Sequence, residues 1–276
     1  MKEKISKNTH YARLSRQYRD AKSISSHSTI QPKKKIASLQ QGKICLYGIH
    51  TVQSALKNPK RIFNSLYVTA NALKRLNVSE SELPCPVTLC SPKQLDALVG
   101  SEAVHQGVVV ETESLKPCQL SELTNTDLVV VMDQITDPHN VGAIMRSAVA
   151  FKAGALITTS RHSPQESGVL AKAASGALEL INYITVRNLA EALQELHKAG
   201  FISFGLDSEG EYSLESVLKG KKIALILGAE GKGLRKKTRE TVCTLARLDM
   251  PGNIKSLNVS NAATIALYAA HKYLRS

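Results

Sequence analysis

Ile226-Leu227-Gly228-Ala229-Glu230-Gly231-Lys232-Gly233 is an apolar run ending in a glycine-bearing turn, and the same grammar recurs through the second half of the chain. Upstream, an apolar run over 127–132 leads through Asp133 to Asp137-Pro138-His139-Asn140-Val141-Gly142 and on to Arg146. Downstream, Ser256-Leu257-Asn258-Val259-Ser260-Asn261-Ala262 opens a long helical pattern over 258–274. Five apolar runs, 127–132, 154–158, 183–186, 201–205 and 222–227, alternate with helical stretches. Short apolar runs separated by helices predict an α/β fold with a Rossmann-like parallel sheet covered on both faces. The helix predicted over 188–199 is the clearest, with Leu189, Ala192, Leu193 and Leu196 on one face, Asn188 as cap and Gly200 at its end. In the last helix Ala266, Leu267, Ala270 and Leu274 form a stripe suited to the sheet or to a second subunit.

Working outward, residues 44–113 carry a smaller alternation. Strands are expected over 65–69, 86–89 and 107–110, and helices over 51–56, 70–76 and 91–99. Ser91 caps the last of these and Pro92 takes its first turn, where a missing backbone donor costs nothing. Before this unit, residues 1–41 hold ten lysines and arginines against Glu3 and Asp20, a net charge of +8 with few aliphatic residues between. A segment that cannot bury apolar surface stays mobile, so a disordered basic arm is expected there, attracted to phosphates through counterion release. A solubilising extension and an organelle transit peptide are the other readings of such a tail. The resulting organisation is a basic arm over 1–41, a small α/β domain over 42–114, a linker over 115–124 and a parallel-sheet domain over 125–276.

Composition narrows the functional class. A formal charge of +13 over 276 residues points to a polyanionic partner, nucleic acid first. No run approaches the roughly 20 apolar residues that span a bilayer, so a soluble protein is expected. The five cysteines, Cys45, Cys85, Cys90, Cys118 and Cys243, are odd in number and lack Cys-x-x-Cys spacing, which argues against a disulfide framework or a metal site and fits a cytoplasmic location. The chain has no Trp and four Phe, so RNA contact is expected through shape and phosphates more than through stacked bases.

Glycine turns and helix starts at the ends of parallel strands are where ligands bind. No Gly-x-Gly-x-x-Gly opens a helix after the first strand, which weighs against a nicotinamide oxidoreductase. Glu230, at the centre of the Gly228–Gly233 turn, would repel a phosphate. An adenosine-type ligand without phosphates suits that turn better.

Taken together, the three segments resemble the SpoU class of the SPOUT superfamily, RNA ribose 2′-O-methyltransferases that use S-adenosylmethionine. Asn140-x-Gly-x-x-x-Arg146, Leu227-Gly228-Ala229-Glu230-Gly231 and Ser256-Leu257-Asn258-Val259-Ser260 match its three motifs in order. The upstream unit is similar to the family's substrate-binding module through Leu46-Tyr47-Gly48-Ile49-His50 and Val104-His105-Gln106-Gly107. This layout is most like the subgroup that modifies a guanosine of large-subunit ribosomal RNA.

The resemblance implies a trefoil knot over roughly 225–262 and a homodimer paired through helices of the catalytic domain. It implies a cofactor pocket of Gly228, Leu227, Leu248, Met250, Ser256 and Leu257, with S-adenosylhomocysteine as product and no metal. Arg146 would clamp a phosphate of the RNA, Asn140 would bond the ribose, and Glu230 would orient groups or accept a proton. Where the family usually reads Ile-Pro-Met-x-Gly, this chain reads Leu248-Asp249-Met250-Pro251-Gly252. Taken singly, Arg146 is also a solvated helix residue, Glu230 a turn residue, and Asn140, Ser256 and Asn258 helix caps. A transfer RNA methyltransferase and a non-catalytic ribosome assembly factor are the alternative functions.

Overall fold

The computed structural model describes residues 42–78, 83–123, 125–254 and 256–276. The basic arm expected over 1–41 lies outside the described residues. Strand β1 (Lys43–Tyr47), helix α1 (Ile49–Leu56), strand β2 (Phe63–Val68), helix α2 (Ala70–Leu76), strand β3 (Val87–Leu89), helix α3 (Pro92–Val99) and strand β4 (Val108–Glu113) build a four-stranded sheet in the order β1-β4-β2-β3. Strand β4 runs antiparallel to both neighbours, and β2 and β3 are parallel. Helix α3 starts as expected, with a capping box between Ser91 and Gln94.

The larger sheet is built from the rest of the chain. Strand β5 (Leu128–Asp133), helix α4 (Pro138–Ala150), strand β6 (Ala155–Thr159), helix α5 (Gly168–Ala174), strand β7 (Asn182–Val186), helix α6 (Leu189–Lys198), strand β8 (Ile202–Leu206), strand β9 (Tyr212–Ser213), helix α7 (Leu214–Val217), strand β10 (Ile223–Gly228), helix α8 (Lys236–Thr241), strand β11 (Thr244–Arg247) and helix α9 (Val259–Arg275) complete the chain. The strand order is β7-β6-β5-β10-β8-β11-β9, and every pairing is parallel. Among the described residues the sheet has seven strands where the sequence suggested five. The two additions, β11 and β9, are short and lie at one edge.

Alternation explains why the central strands are buried on both sides. Leu128, Val130 and Met132 of β5, with Leu225 and Leu227 of β10, join one apolar cluster, while Val129, Val131, Ala224 and Ile226 join another beneath α6. The first cluster also takes in Leu46, Leu66 and Val110 of the smaller sheet and Val52 of α1, so one continuous core runs between the two sheets. Helix α5 is the contact element. A Cβ on Gly168 would fall 2.3 Å from the Cys45 carbonyl oxygen, and Thr51 Oγ1 donates to the Ala171 carbonyl at 3.4 Å. Between the sheets, the Leu115 N–H donates to Glu166 at 2.8 Å, and Leu120–Glu122 forms a single 3-10 turn.

Helix α9 decides between the two places open to its apolar stripe, the sheet of its own chain and a second subunit. Ala266, Leu267 and Ala270 are buried against α4 and β10 of the same chain, so the stripe offered to a second subunit is filled internally. Ile265, Tyr268 and Tyr273 are the exposed large apolar residues of that helix, at 43%, 56% and 37%. Among the described residues no helix is long and apolar enough to cross a membrane.

Candidate functional site

The three segments singled out in the sequence meet at the carboxyl ends of β5 and β10, which lie side by side with Gly228 opposite Asp133. Each segment is set locally. Asp137 caps α4 by accepting from the His139 N–H at 3.0 Å, with Pro138 in the first turn, so Asn140 is inside the helix and not its cap. After β10 the chain closes a tight turn through paired bonds, Ala229 N–H to the Gly233 oxygen at 3.1 Å and Gly233 N–H to the Ala229 oxygen at 2.8 Å. Gly231 and Gly233 have φ of 74° and 62°, the left-handed region in which a side chain is strained. The fully buried Asp133 anchors the chain leaving this turn by accepting from Arg235 N at 3.0 Å and Nε at 2.6 Å. Asn258 caps α9 through the Ser260 N–H at 2.9 Å.

One carboxylate oxygen gathers these turns. Glu230 Oε1 accepts from Asn258 Nδ2 at 2.8 Å, from the Val259 N–H at 3.2 Å and from Asn140 Nδ2 at 3.3 Å. Asn258 Nδ2 also donates to Asn140 Oδ1 at 3.0 Å. A negative charge against the first amides of α9 is favoured by the helix dipole. The result is a polar knot of three side chains from three segments, the start of α4, the turn after β10 and the cap of α9, with Glu230 90 and 28 residues from its two partners in sequence.

Beside it opens a cavity of about 510 Å³ lined by Leu227, the Gly228–Gly233 turn, Leu248, Met250, Ser256, Leu257, Val259 and Ala262. A volume of this size suits a nucleoside-sized ligand. All six residues expected to hold a cofactor line it, and Glu230 stands on both the cavity wall and the polar knot. Asp249, at the position where the family pattern carries proline, is absent from the lining and instead accepts from Arg247 Nε at 2.9 Å. Arg146 is not part of the cavity wall. It is exposed on α4, and among the described residues it forms no ion pair.

Two features were not anticipated. Asn258 could be read as a cap, and it is one, but its amide also bridges Asn140 and Glu230; spacing alone does not separate these roles. The other is the turn after β8. Asp207, Ser208 and Glu209 line the cavity with Arg239, whose guanidinium lies 2.5 Å from Asp207 Oδ2. The only available signal was that ligands in parallel sheets bind beyond the carboxyl ends of the strands.

Known proteins match this arrangement. Residues 127–268 match the SpoU rRNA Methylase family, and residues 45–118 match the family described as RNA 2'-O ribose methyltransferase substrate binding. The 23S rRNA (guanosine-2'-O-)-methyltransferase RlmB of Ralstonia nicotianae is 37% identical over 235 residues, covering 82% of this chain and 94% of the relative. The protein of the same name from Pseudomonas putida is 37% identical over 236 residues, with the same coverage of each chain. The crystal structure of the SpoU methyltransferase AviRb from Streptomyces viridochromogenes, in complex with AdoMet, superposes with a TM-score of 0.73 at 22% identity, over 85% of this chain and 91% of that one. Matches to the two sequence families, one over each sheet, and relatives covering most of the chain converge: this chain belongs to the SpoU rRNA methylase family.

Proposed function

We propose that this protein methylates the ribose 2′-hydroxyl of a guanosine in 23S rRNA, using S-adenosylmethionine and releasing S-adenosylhomocysteine. The observation that carries the proposal is the cavity whose wall includes Glu230, itself bonded to Asn140 and Asn258, in a chain 37% identical to 23S rRNA guanosine methyltransferases over most of its length. The lining fits this cofactor. Leu227, Leu248, Met250 and Leu257 supply apolar wall, Gly228 and Ser256 supply polar contact, and the turn offers no phosphate cradle. When bound, the cofactor supplies a methyl group already activated by its sulfonium.

The side chains then have mainly to position the acceptor, because alignment of two bound reactants supplies much of such an acceleration. Asn140 holds the ribose, with its amide oriented by Glu230 and Asn258. Arg146 holds a neighbouring RNA phosphate and acts by electrostatics, a guanidinium being a donor with no acceptor. Glu230 orients the acceptor and is the carboxylate nearest to receive its proton. The smaller unit, 42–114, docks the RNA; 115–124 links it to the methyltransferase domain at 125–276; and the arm over 1–41 adds nonspecific attraction. The segment near 225–262 threads as a trefoil knot, which is rare among folds. Two copies pair in a cytoplasmic homodimer, and the exposed Ile265 and Tyr268 support that pairing.

The test uses full-length protein, methyl-labelled cofactor and separate samples of 23S rRNA, large-subunit precursor particles and transfer RNA. Label in one guanosine of the large-subunit RNA, with the adjacent linkage resistant to alkali, is the expected result. Label confined to transfer RNA would overturn the substrate. Tight RNA binding without cofactor binding would overturn the reaction.

A further inference from the structure

Cys243 lies between α8 and β11 and is exposed. Its sulfur is 3.5 Å from Nε2 of His197, near the end of α6. The same nitrogen is 2.7 Å from the hydroxyl of Ser203 on β8, and Ser203 Oγ accepts the Cys243 N–H at 2.8 Å. Ser203 is fully buried. Its oxygen already takes the Cys243 amide, so its proton is free to turn toward or away from Nε2, whose single lone pair in the neutral ring serves the hydroxyl or the thiol in turn. Burial lowers the His197 pKa, which favours the neutral ring.

The remaining cysteines offer no such chemistry. Burial pushes the Cys45 thiol up to about 11 and also raises those of Cys85 and Cys90. Cys118 is raised by burial and by its hydrogen bond to Glu122. Cys243 is therefore the exposed thiol of the five, and among the described residues it is the cysteine in contact with an imidazole. Exposure and an adjacent base are among the conditions that make a cysteine reactive.

We propose that Cys243 is an oxidant-sensitive modification site, a thiol that reacts with hydroperoxides with His197 as its base. In the step, the sulfur attacks one peroxide oxygen, the S–O bond forms as the O–O bond breaks, and the thiol proton passes through His197 Nε2 to the departing oxygen. Sulfur loses two electrons and the peroxide gains them, giving a sulfenic acid and one water or alcohol. The added oxygen displaces the sulfur from His197. Cys243 continues directly into β11, which pairs with β8 and leads to Leu248 and Met250 of the cavity wall.

The full-length protein is treated with limiting hydrogen peroxide in the presence of dimedone, and adducts on all five cysteines are followed by mass spectrometry. Cys243 is expected to be trapped about tenfold faster than any other cysteine. His197→Gln keeps an amide near Ser203 but removes the base, and is expected to slow trapping at Cys243 about fivefold or more, with the melting temperature unchanged. A rate at Cys243 in this variant within about twofold of wild type overturns the proposal. So does faster trapping of another cysteine in the wild-type protein, a comparison that needs no variant.

Discussion

At the scale of single residues the site separates into side chains that hold one another and one that stands apart. Asn140, Glu230 and Asn258 are mutually bonded, whereas Arg146 is exposed without an ion pair among the described residues. A group so placed contributes little to the resting fold and is free to meet RNA. Arg146→Ala should therefore leave the melting temperature and the cofactor dissociation constant within about twofold of wild type while lowering turnover about 10²-fold, as removal of a single charge-stabilising group does. Single-turnover kinetics with separate calorimetric titration of the cofactor checks this; unchanged turnover would remove Arg146 from the reaction. Gly228 is expected to behave in the opposite way. A Cβ there would lie 2.3 Å from the Gly233 carbonyl carbon and 2.5 Å from the Leu234 nitrogen, both backbone atoms that cannot swing aside. Gly228→Val must then displace the turn that lines the cavity. Cofactor affinity should fall by about tenfold or more, equivalent to about 1.4 kcal/mol, in the same titration.

Elements differ in how plainly the sequence announces them, and the difference tracks burial. Strands β5 and β10 are covered on both faces, so Val129-Val130-Val131-Met132 and Ile223 to Leu227 appear as unbroken apolar runs. Strand β11 has only Ala246 buried and β9 is two residues long, so neither carries a run to read. Helix α5 opens with glycine and lasts seven residues, too short for its buried Leu170, Ala171 and Ala174 to declare a period. The site was legible as three turns because glycine and asparagine mark special backbone positions. That Glu230 ties two amides together was not, because a carboxylate in a turn has no pattern by which its distant partner can be found. Helix α5 makes its own prediction. A Cβ on Gly142 of α4 would fall 2.5 Å from the Ala173 Cβ and 2.7 Å from the Ala174 nitrogen, so the two helices touch where glycine permits. Gly142→Val should push α4 from α5 and destabilise the protein by about 1–3 kcal/mol, the usual cost of overpacking, measured by denaturant unfolding. An unchanged midpoint would mean that the helices separate at no cost.

For the whole molecule, the relation of its two sheets rests on a buried charge cluster as well as on the shared core. The Arg61 side chain has no exposed surface; it meets Glu179 through Nε at 2.9 Å and NH2 at 2.7 Å, and its NH1 lies 2.5 Å from Glu166 Oε1 as an ion pair without hydrogen-bond alignment. Arg61 belongs to the turn before β2, and both glutamates lie beyond β6, so the cluster joins the smaller sheet to the larger. Arg61→Ala would leave two carboxylates buried without their cation, and a loss of about 3–5 kcal/mol is expected in equilibrium unfolding. A loss below about 1 kcal/mol would show that water or the carboxylates' own protonation makes good the missing charge. The last prediction concerns charge at its longest range. Residues 1–41 hold +8 of the formal +13, so their removal takes away most of the nonspecific attraction to a phosphate backbone while every described residue that lines the cavity is kept. For every phosphate that the protein no longer neutralises, the slope of log affinity against log salt becomes shallower by about 0.7–0.9. A variant beginning at residue 42 should therefore bind RNA more weakly at low salt, with a slope shallower by at least about 2, and should converge on the full-length protein as salt is raised. Its cofactor affinity should not change. Fluorescence anisotropy over a salt series reads both curves, and parallel lines would mean that the arm's charges never reach the RNA.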